Sequence, residues 1–242
     1  YRRDLNQFLL PIESYDQISI QTLEDFVASL RRKGLAESSI ARSVVAIRNF
    51  VDFFAKESKT INPIKEYAPP KIPKRLPKAL TIEEVASIIE HSYSEANPQT
   101  LRDKAIVELL YATGGRVSEI ANLNLSDVSK FDAEEVTSIR LYGKGGKYRV
   151  VPVGRFAQQS LDEYLVRIRP SLTKGRREEA LFLNNHGRRL SRQTIWSQIQ
   201  ESSKRAGIKR EVTPHSLRHS FATHLLDRLR ESYSTAHPRA RK

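Results

Sequence analysis

Cysteine and methionine are both absent from the 242 residues, and tryptophan occurs only once. Without cysteine there is no disulfide framework, no thiol nucleophile and no thiolate metal ligand. The six histidines are scattered and offer no zinc spacing. No apolar run approaches the roughly 20 residues that a membrane-spanning helix needs. The opening Tyr1-Arg2-Arg3-Asp4 carries no secretory signal pattern, and Tyr1 in place of Met leads us to expect that the protein's original start lies upstream. Acidic residues are also in short supply. Only 28 Asp and Glu face 41 Lys and Arg, leaving a formal charge of +13.

What is present is a globular composition, 39% hydrophobic and 29% charged, long enough for one large or two modest domains. A pI near 10 points to a polyanionic partner, with nucleic acid ahead of an anionic membrane surface. The excess is spread along the chain. Residues 1–78 hold 14 basic and 9 acidic side chains, and residues 79–242 hold 27 and 19. A partner that touches both parts is the economical reading.

Hydrophobic spacing divides the chain in three. Ile20, Leu23, Phe26, Val27 and Leu30 recur at helical steps before a stop at Gly34, and a second helix opens near Ser38-Ser39 with Ile40, Val44, Ile47, Val51 and Phe54 on one stripe. Residues 1–65 therefore read as a small helical bundle. From Glu66 to Lys78 four Pro and four basic residues exclude helix and central strand. As polyproline this connector covers about 40 Å, longer than a DNA duplex is wide, so it reads equally as part of a basic clamp around a duplex or as an ordinary interdomain linker.

Residues 79–242 read as a second, α+β domain. Thr81 and Glu84 form a capping box ahead of Val85, Ile88 and Ile89. A helix from about Leu101 stops at Gly114-Gly115. Between Val136 and Val153 the period changes to two around Gly143-Lys144-Gly145-Gly146-Lys147, a β-hairpin with a Gly- and Lys-rich turn. Ser191 to Ala206 is again helical. Thr213-Pro214 then opens a helix over His215–Asp227, with Leu217, Phe221 and Leu225 as its expected core stripe. The expected fold is mostly α, with one small antiparallel hairpin or sheet.

Three stretches hold the candidate chemistry. Arg116 follows the glycine break of Thr113-Gly114-Gly115, where the backbone can approach a ligand and a guanidinium fork suits phosphate. Lys144 sits on the glycine turn, which lacks the pattern of a nucleotide-binding P-loop. His215 and Arg218 share a face near a helix N-terminus, placing a titratable imidazole and a guanidinium together. Each feature alone has an ordinary explanation as surface charge or solvated turn.

In combination they are specific. Thr113-Gly114-Gly115-Arg116-Val117-Ser118-Glu119, then Gly143-Lys144-Gly145-Gly146-Lys147, then Pro214-His215-Ser216-Leu217-Arg218-His219-Ser220-Phe221-Ala222-Thr223-His224-Leu225 resembles the tyrosine recombinase (phage integrase) family, and within it the bacterial Xer recombinases. The likeness covers nearly the whole chain. It implies a DNA-clamping N-terminal bundle, a catalytic domain, and site-specific strand exchange through a 3′-phosphotyrosyl intermediate, without metal, nucleotide or other cofactor. Arg116 and Arg218 would bind the scissile phosphate, Lys144 would protonate the leaving 5′ oxygen, His215 would assist proton transfer, and Glu119 would support the site. The implied partners are double-stranded DNA, a homo- or hetero-tetramer with a related recombinase, and a regulatory protein at the basic tail from Ala236 to Lys242. The implied place is the bacterial cytoplasm at the nucleoid, not a membrane, and the implied task is chromosome dimer resolution. A phage or transposon integrase, or a DNA-binding protein that keeps the fold without cleaving, are the alternatives.

The resemblance also implies a second His or Trp beyond Arg218 and, after it, the nucleophilic Tyr. Neither is found. Leu225-Leu226-Asp227-Arg228 runs straight into Leu229-Arg230-Glu231-Ser232-Tyr233, which resembles the helix that follows the nucleophile. A tyrosine-bearing segment is therefore expected to be missing between Arg228 and Leu229, so that 242 residues fall short of the whole protein. Tyr233, only 15 positions after Arg218, is a poor substitute.

Overall fold

A computed structural model of the chain describes residues 1–70, 79–131, 136–143 and 145–236. Two compact units emerge, Tyr1–Leu76 and Pro77–Lys242. Most of the expected proline-rich connector, residues 71–78, lies outside the described residues.

The first unit contains α1 (Arg2–Leu9), α2 (Ile20–Arg32) and α3 (Glu37–Glu57). Ser19 caps α2 reciprocally: its hydroxyl accepts from the Thr22 N–H at 3.2 Å, and its own N–H donates to the Thr22 hydroxyl at 2.9 Å. Leu23, Val27 and Leu30 from α2 meet Ile40, Val44 and Ile47 from α3 in a closed core. The α3 stripe departs from expectation at its end. Phe54 is 38% exposed and stacks on Tyr15 with ring centroids 4.8 Å apart, while the buried face of α3 continues from Val51 to Ala55. Helix α1 places Leu5, Phe8 and Leu9 on one face, with Phe8 fully buried and the two leucines partly buried against the same core.

The second unit is built around α5 (Leu101–Thr113), where apolar residues face all sides, so no single stripe exists. Packed about it are α4 (Ile82–Glu90), α7 (Arg155–Arg167), α9 (Arg192–Arg205) and the first turns of α10 (Pro214–Ala236). Short helices α6 (Val117–Ala121) and α8 (Arg169–Thr173) turn the corners. A three-stranded antiparallel sheet stands beside them: β1 (Val128–Phe131), β2 (Val136–Tyr142) and β3 (Tyr148–Val153), in that spatial order. The register pairs Val128 with Ile139 and Tyr142 with Tyr148. The expected hairpin is β2–β3. Strand β1 is an addition whose four residues are too few to show a period. Among the described residues no helix is long and apolar enough to cross a membrane.

Helix α10 corrects two expectations. It extends past Asp227 to Ala236, running through Arg228 and Leu229 as consecutive helical residues. Its stripe is core only at Leu217, which is fully buried; Phe221 is half-buried and Leu225 is 44% exposed. Beyond Phe221 the helix leaves the core and lines an open groove of about 350 Å³ with Tyr111, Phe156 and His224.

Candidate active site

The site forms where α5 must stop. Gly114 adopts φ +55°, the left-handed conformation that ends α5. A Cβ built there would lie 2.3 Å from the Phe221 ring, so glycine is required for space as well as for the turn. Thr113 satisfies the helix end by donating from Oγ1 to the Leu109 carbonyl at 2.6 Å while accepting the Gly115 N–H at 3.1 Å. The chain then extends for one residue, Arg116, which is the N-cap of α6.

Glu119 closes that corner. Its Oε2 accepts the Arg116 backbone N–H at 2.8 Å, and its Oε1 accepts Arg116 Nη1 at 2.9 Å. Arg149, reaching across from β3, donates from Nη1 to Oε1 at 3.0 Å and from Nη2 to Oε2 at 2.7 Å. The Glu119 side chain is only 3% exposed. Burial by itself would raise its pKa. The hydrogen bonds from Arg149 and from the Arg116 amide and guanidinium, with the charge of Arg149, outweigh burial and hold it at about 2. The carboxylate is thus charged at any ordinary pH. Arg116 gives it one guanidinium nitrogen and stays half-exposed, leaving its other donors available to a ligand.

The second arginine arrives from α10. Thr213 caps this helix, its Oγ1 accepting the Ser216 N–H at 3.2 Å. Arg218 Nη1 donates to the Gly114 carbonyl, two residues from Arg116. Ser220, fully buried, fixes the height of the helix: its hydroxyl accepts the Leu80 N–H at 2.8 Å and donates to the Ser216 carbonyl at 2.8 Å. His215 stands exposed on the first turn. The glycine break thus gathers Arg116, Arg218 and Glu119, with His215 one turn before Arg218.

Lys144 lies outside the described residues. Its neighbour Gly143 is described, and the Gly143 N–H donates to the Lys147 carbonyl at 2.8 Å. A Cβ on Gly143 would sit 3.4 Å from Arg149 Nη1 and 3.7 Å from Glu119 Oε1, so the base of the turn lies against the Glu119 corner. Tyr233 belongs to the last turns of α10, and its side chain is outside the described residues. Tyr111 donates to or accepts from His224 Nδ1 at 2.8 Å, and burial raises the pKa of its phenol.

Sequence reasoning missed Arg149, and it quoted Thr113 and Ser220 within their motifs without assigning either a role. A signal for Arg149 existed. Strand alternation places it in phase with Val151 and Val153, the inward side of β3, where an arginine requires an acidic partner.

Comparisons with known proteins assign the family. Residues 78–230 match the phage integrase family, and residues 1–58 match the phage integrase N-terminal SAM-like domain. Tyrosine recombinase XerD of Halalkalibacterium halodurans is 43% identical over 234 residues, covering 94% of this chain and 77% of the relative. XerD of Mycobacterium tuberculosis is 42% identical with the same coverage, and tyrosine recombinase XerC of Herpetosiphon aurantiacus is 39% identical, covering 94% of this chain and 75% of the relative. Among solved structures, XerA recombinase is 34% identical with a TM-score of 0.54 over 93% of this chain and 76% of its own. XerH bound to its palindromic difH substrate after cleavage is 25% identical with a TM-score of 0.69 over 92% of this chain and 65% of its own.

Proposed function

The chain belongs to the phage integrase family and is a tyrosine site-specific DNA recombinase of the Xer type; on that premise we propose how its residues divide the chemistry. The substrate is a phosphodiester of double-stranded DNA. A tyrosine oxygen attacks the phosphorus, the bond to the 5′ oxygen breaks, and a 3′-phosphotyrosyl link forms. Arg116 and Arg218 hold the two non-bridging oxygens and offset the charge that grows on them as phosphorus becomes five-coordinate. Lys144 gives the leaving 5′ oxygen its proton, and His215 takes part in proton transfer at the nucleophile. In the reverse step a 5′ hydroxyl of the partner strand attacks and tyrosine leaves.

One observation carries this reading: two arginines from separate helices meet at one glycine break, one of them braced by a buried carboxylate. That is a preformed site for a tetrahedral anion, and its remaining donors are the forks that phosphate oxygens accept. The nucleophile is proposed to reside in a segment missing between Arg228 and Leu229, which follow one another in α10 of this chain. What supports missing length is that the XerD relatives align with 94% of this chain but with only 77% of their own, and what supports its place is the likeness of Leu229–Tyr233 to the helix that follows the nucleophile. The working form is proposed to be a tetramer on DNA, acting at the bacterial nucleoid in chromosome dimer resolution, with the basic tail from Ala236 to Lys242, of which 237–242 lie outside the described residues, docking a regulatory protein.

The test is a nicked suicide duplex that traps the covalent adduct, applied to the gene-encoded protein and to this chain. The gene-encoded protein forms an adduct mapping to a tyrosine of the proposed segment. Arg116→Ala lowers adduct formation about 100- to 1,000-fold and leaves DNA affinity nearly unchanged. An adduct at Tyr233 in this chain overturns the segment proposal. No adduct with the gene-encoded protein marks a binding protein that does not cleave.

A further inference from the structure

We infer that Arg149 is a positioning residue of the reaction, fixing the Glu119 carboxylate and thereby the direction in which Arg116 presents its guanidinium. The inference rests on the reading in which Arg116 holds the scissile phosphate. The geometry is reciprocal. Each oxygen of Glu119 accepts one hydrogen bond from each arginine: Oε1 from Arg116 Nη1 and Arg149 Nη1, and Oε2 from the Arg116 amide and Arg149 Nη2.

The division of labour between the two guanidinium groups is unequal. Arg149 commits both terminal nitrogens to the carboxylate in a planar fork, which locks the plane of the carboxyl group. Arg116 commits one nitrogen and its backbone amide, and is steered by the plane that Arg149 has set. Helix α6 cannot supply this rigidity alone, because it has five residues and its N-cap is Arg116 itself. Arg149 also ties β3 to the corner. A Cβ on Gly143 would lie 3.4 Å from Arg149 Nη1, so the strand ends that carry the Lys144 turn rest on the same ion pair. One arginine therefore links the phosphate-binding corner to the hairpin.

The charged groups facing Glu119 are Arg116 from its own corner and Arg149 from β3. Helix α9 and strand β2, which pack on α6, add no ion pair to it among the described residues. With Arg149 removed, a buried carboxylate keeps only part of its hydrogen bonding, and its pKa climbs from about 2.

The test uses Arg149→Gln, Arg149→Lys, Glu119→Gln and the double variant Glu119→Gln/Arg149→Gln in the gene-encoded protein. Cleavage of the suicide duplex is followed from pH 5 to 8, with DNA affinity measured in parallel. Arg149→Gln is expected to slow cleavage about 100-fold at unchanged DNA affinity and to gain an acid limb in addition to any that His215 gives the wild type and the double variant alike. Arg149→Lys keeps the charge but not the fork, and recovers only part of the rate. The double variant is no slower than Arg149→Gln alone. A loss of DNA affinity matching the loss of rate means that Arg149 contacts phosphate directly and overturns the inference, as does full recovery by lysine or additive losses.

A second measurement stands apart from catalysis. The Glu119 carboxyl carbon, titrated by 13C NMR in this chain and in Arg149→Lys, moves upward from its midpoint near 2 when the fork is lost; an unmoved midpoint also overturns the inference. If Arg116→Ala cleaves normally while this titration shifts, the catalytic assignment fails and the positioning of Glu119 stands.

Discussion

Replacing Glu119 with Gln removes one negative charge from between two arginines and leaves its shape in place. The folded carboxyl sits at about 2 against an ordinary value of 4.5, a depression of about 2.5 units. At about 1.4 kcal/mol per unit, the ionised carboxylate stabilises the fold by about 3 kcal/mol near neutral pH. Because the folded value is the lower one, this contribution is complete above the unfolded pKa and disappears as pH falls through the folded one. Most of the change occurs in a narrow window. Between pH 5 and pH 3 the contribution drops by about 2 kcal/mol. Glu119→Gln has no such proton to bind, so the stability difference between wild type and variant isolates this one group from every other carboxylate that titrates. The assay is urea unfolding of both proteins at pH 7, 5 and 3. The variant is expected to be less stable by about 3 kcal/mol or more at pH 7 and 5, and the gap narrows by about 2 kcal/mol at pH 3. A gap that stays constant across the three pH values refutes the reasoning, because it means that Glu119 acts through shape and hydrogen bonding rather than charge.

Two further perturbations address how the arginines are placed. Gly114→Ala forces a side chain into φ +55° and against the Phe221 ring, costing about 1–3 kcal/mol; Gly114→Ala/Phe221→Leu recovers part of that in thermal unfolding. Ser220→Ala leaves the Leu80 N–H buried without its acceptor and lowers stability by about 1–3 kcal/mol, whereas Ser220→Thr, which keeps a hydroxyl, loses less in the same melt.

Much of the architecture could be read before any coordinates. Helix caps at Thr81 and Thr213, the stripes of α2 and α3, and the period change at the hairpin are all local signals that a few neighbouring residues write out. The glycine break and His215-Ser216-Leu217-Arg218 each have an ordinary explanation alone, and they marked the site only together, through the resemblance to the tyrosine recombinases. What escaped was everything set by distant contacts. Arg149 meets Glu119 across 30 positions, and Ser220 meets Leu80 across 140. Neither pairing leaves a periodic trace. Leu225 was read as core from its spacing alone, yet spacing says only that residues share a face, not that anything covers it. Strand β1 is too short to show a period, whereas α1 and the turn after it carry one in Leu5, Phe8, Leu9 and Ile12 that the sequence reading passed over.

Gly114 and Phe221 occupy one volume, although they stand far apart in the chain. The constraint runs one way. Position 221 can shrink while 114 stays glycine, but a side chain at 114 meets the ring at 221 and adds the strain of φ +55°. A smaller residue at 221 therefore lowers the cost of a later change at 114, and the easier order of substitution beside Arg116 is 221 before 114.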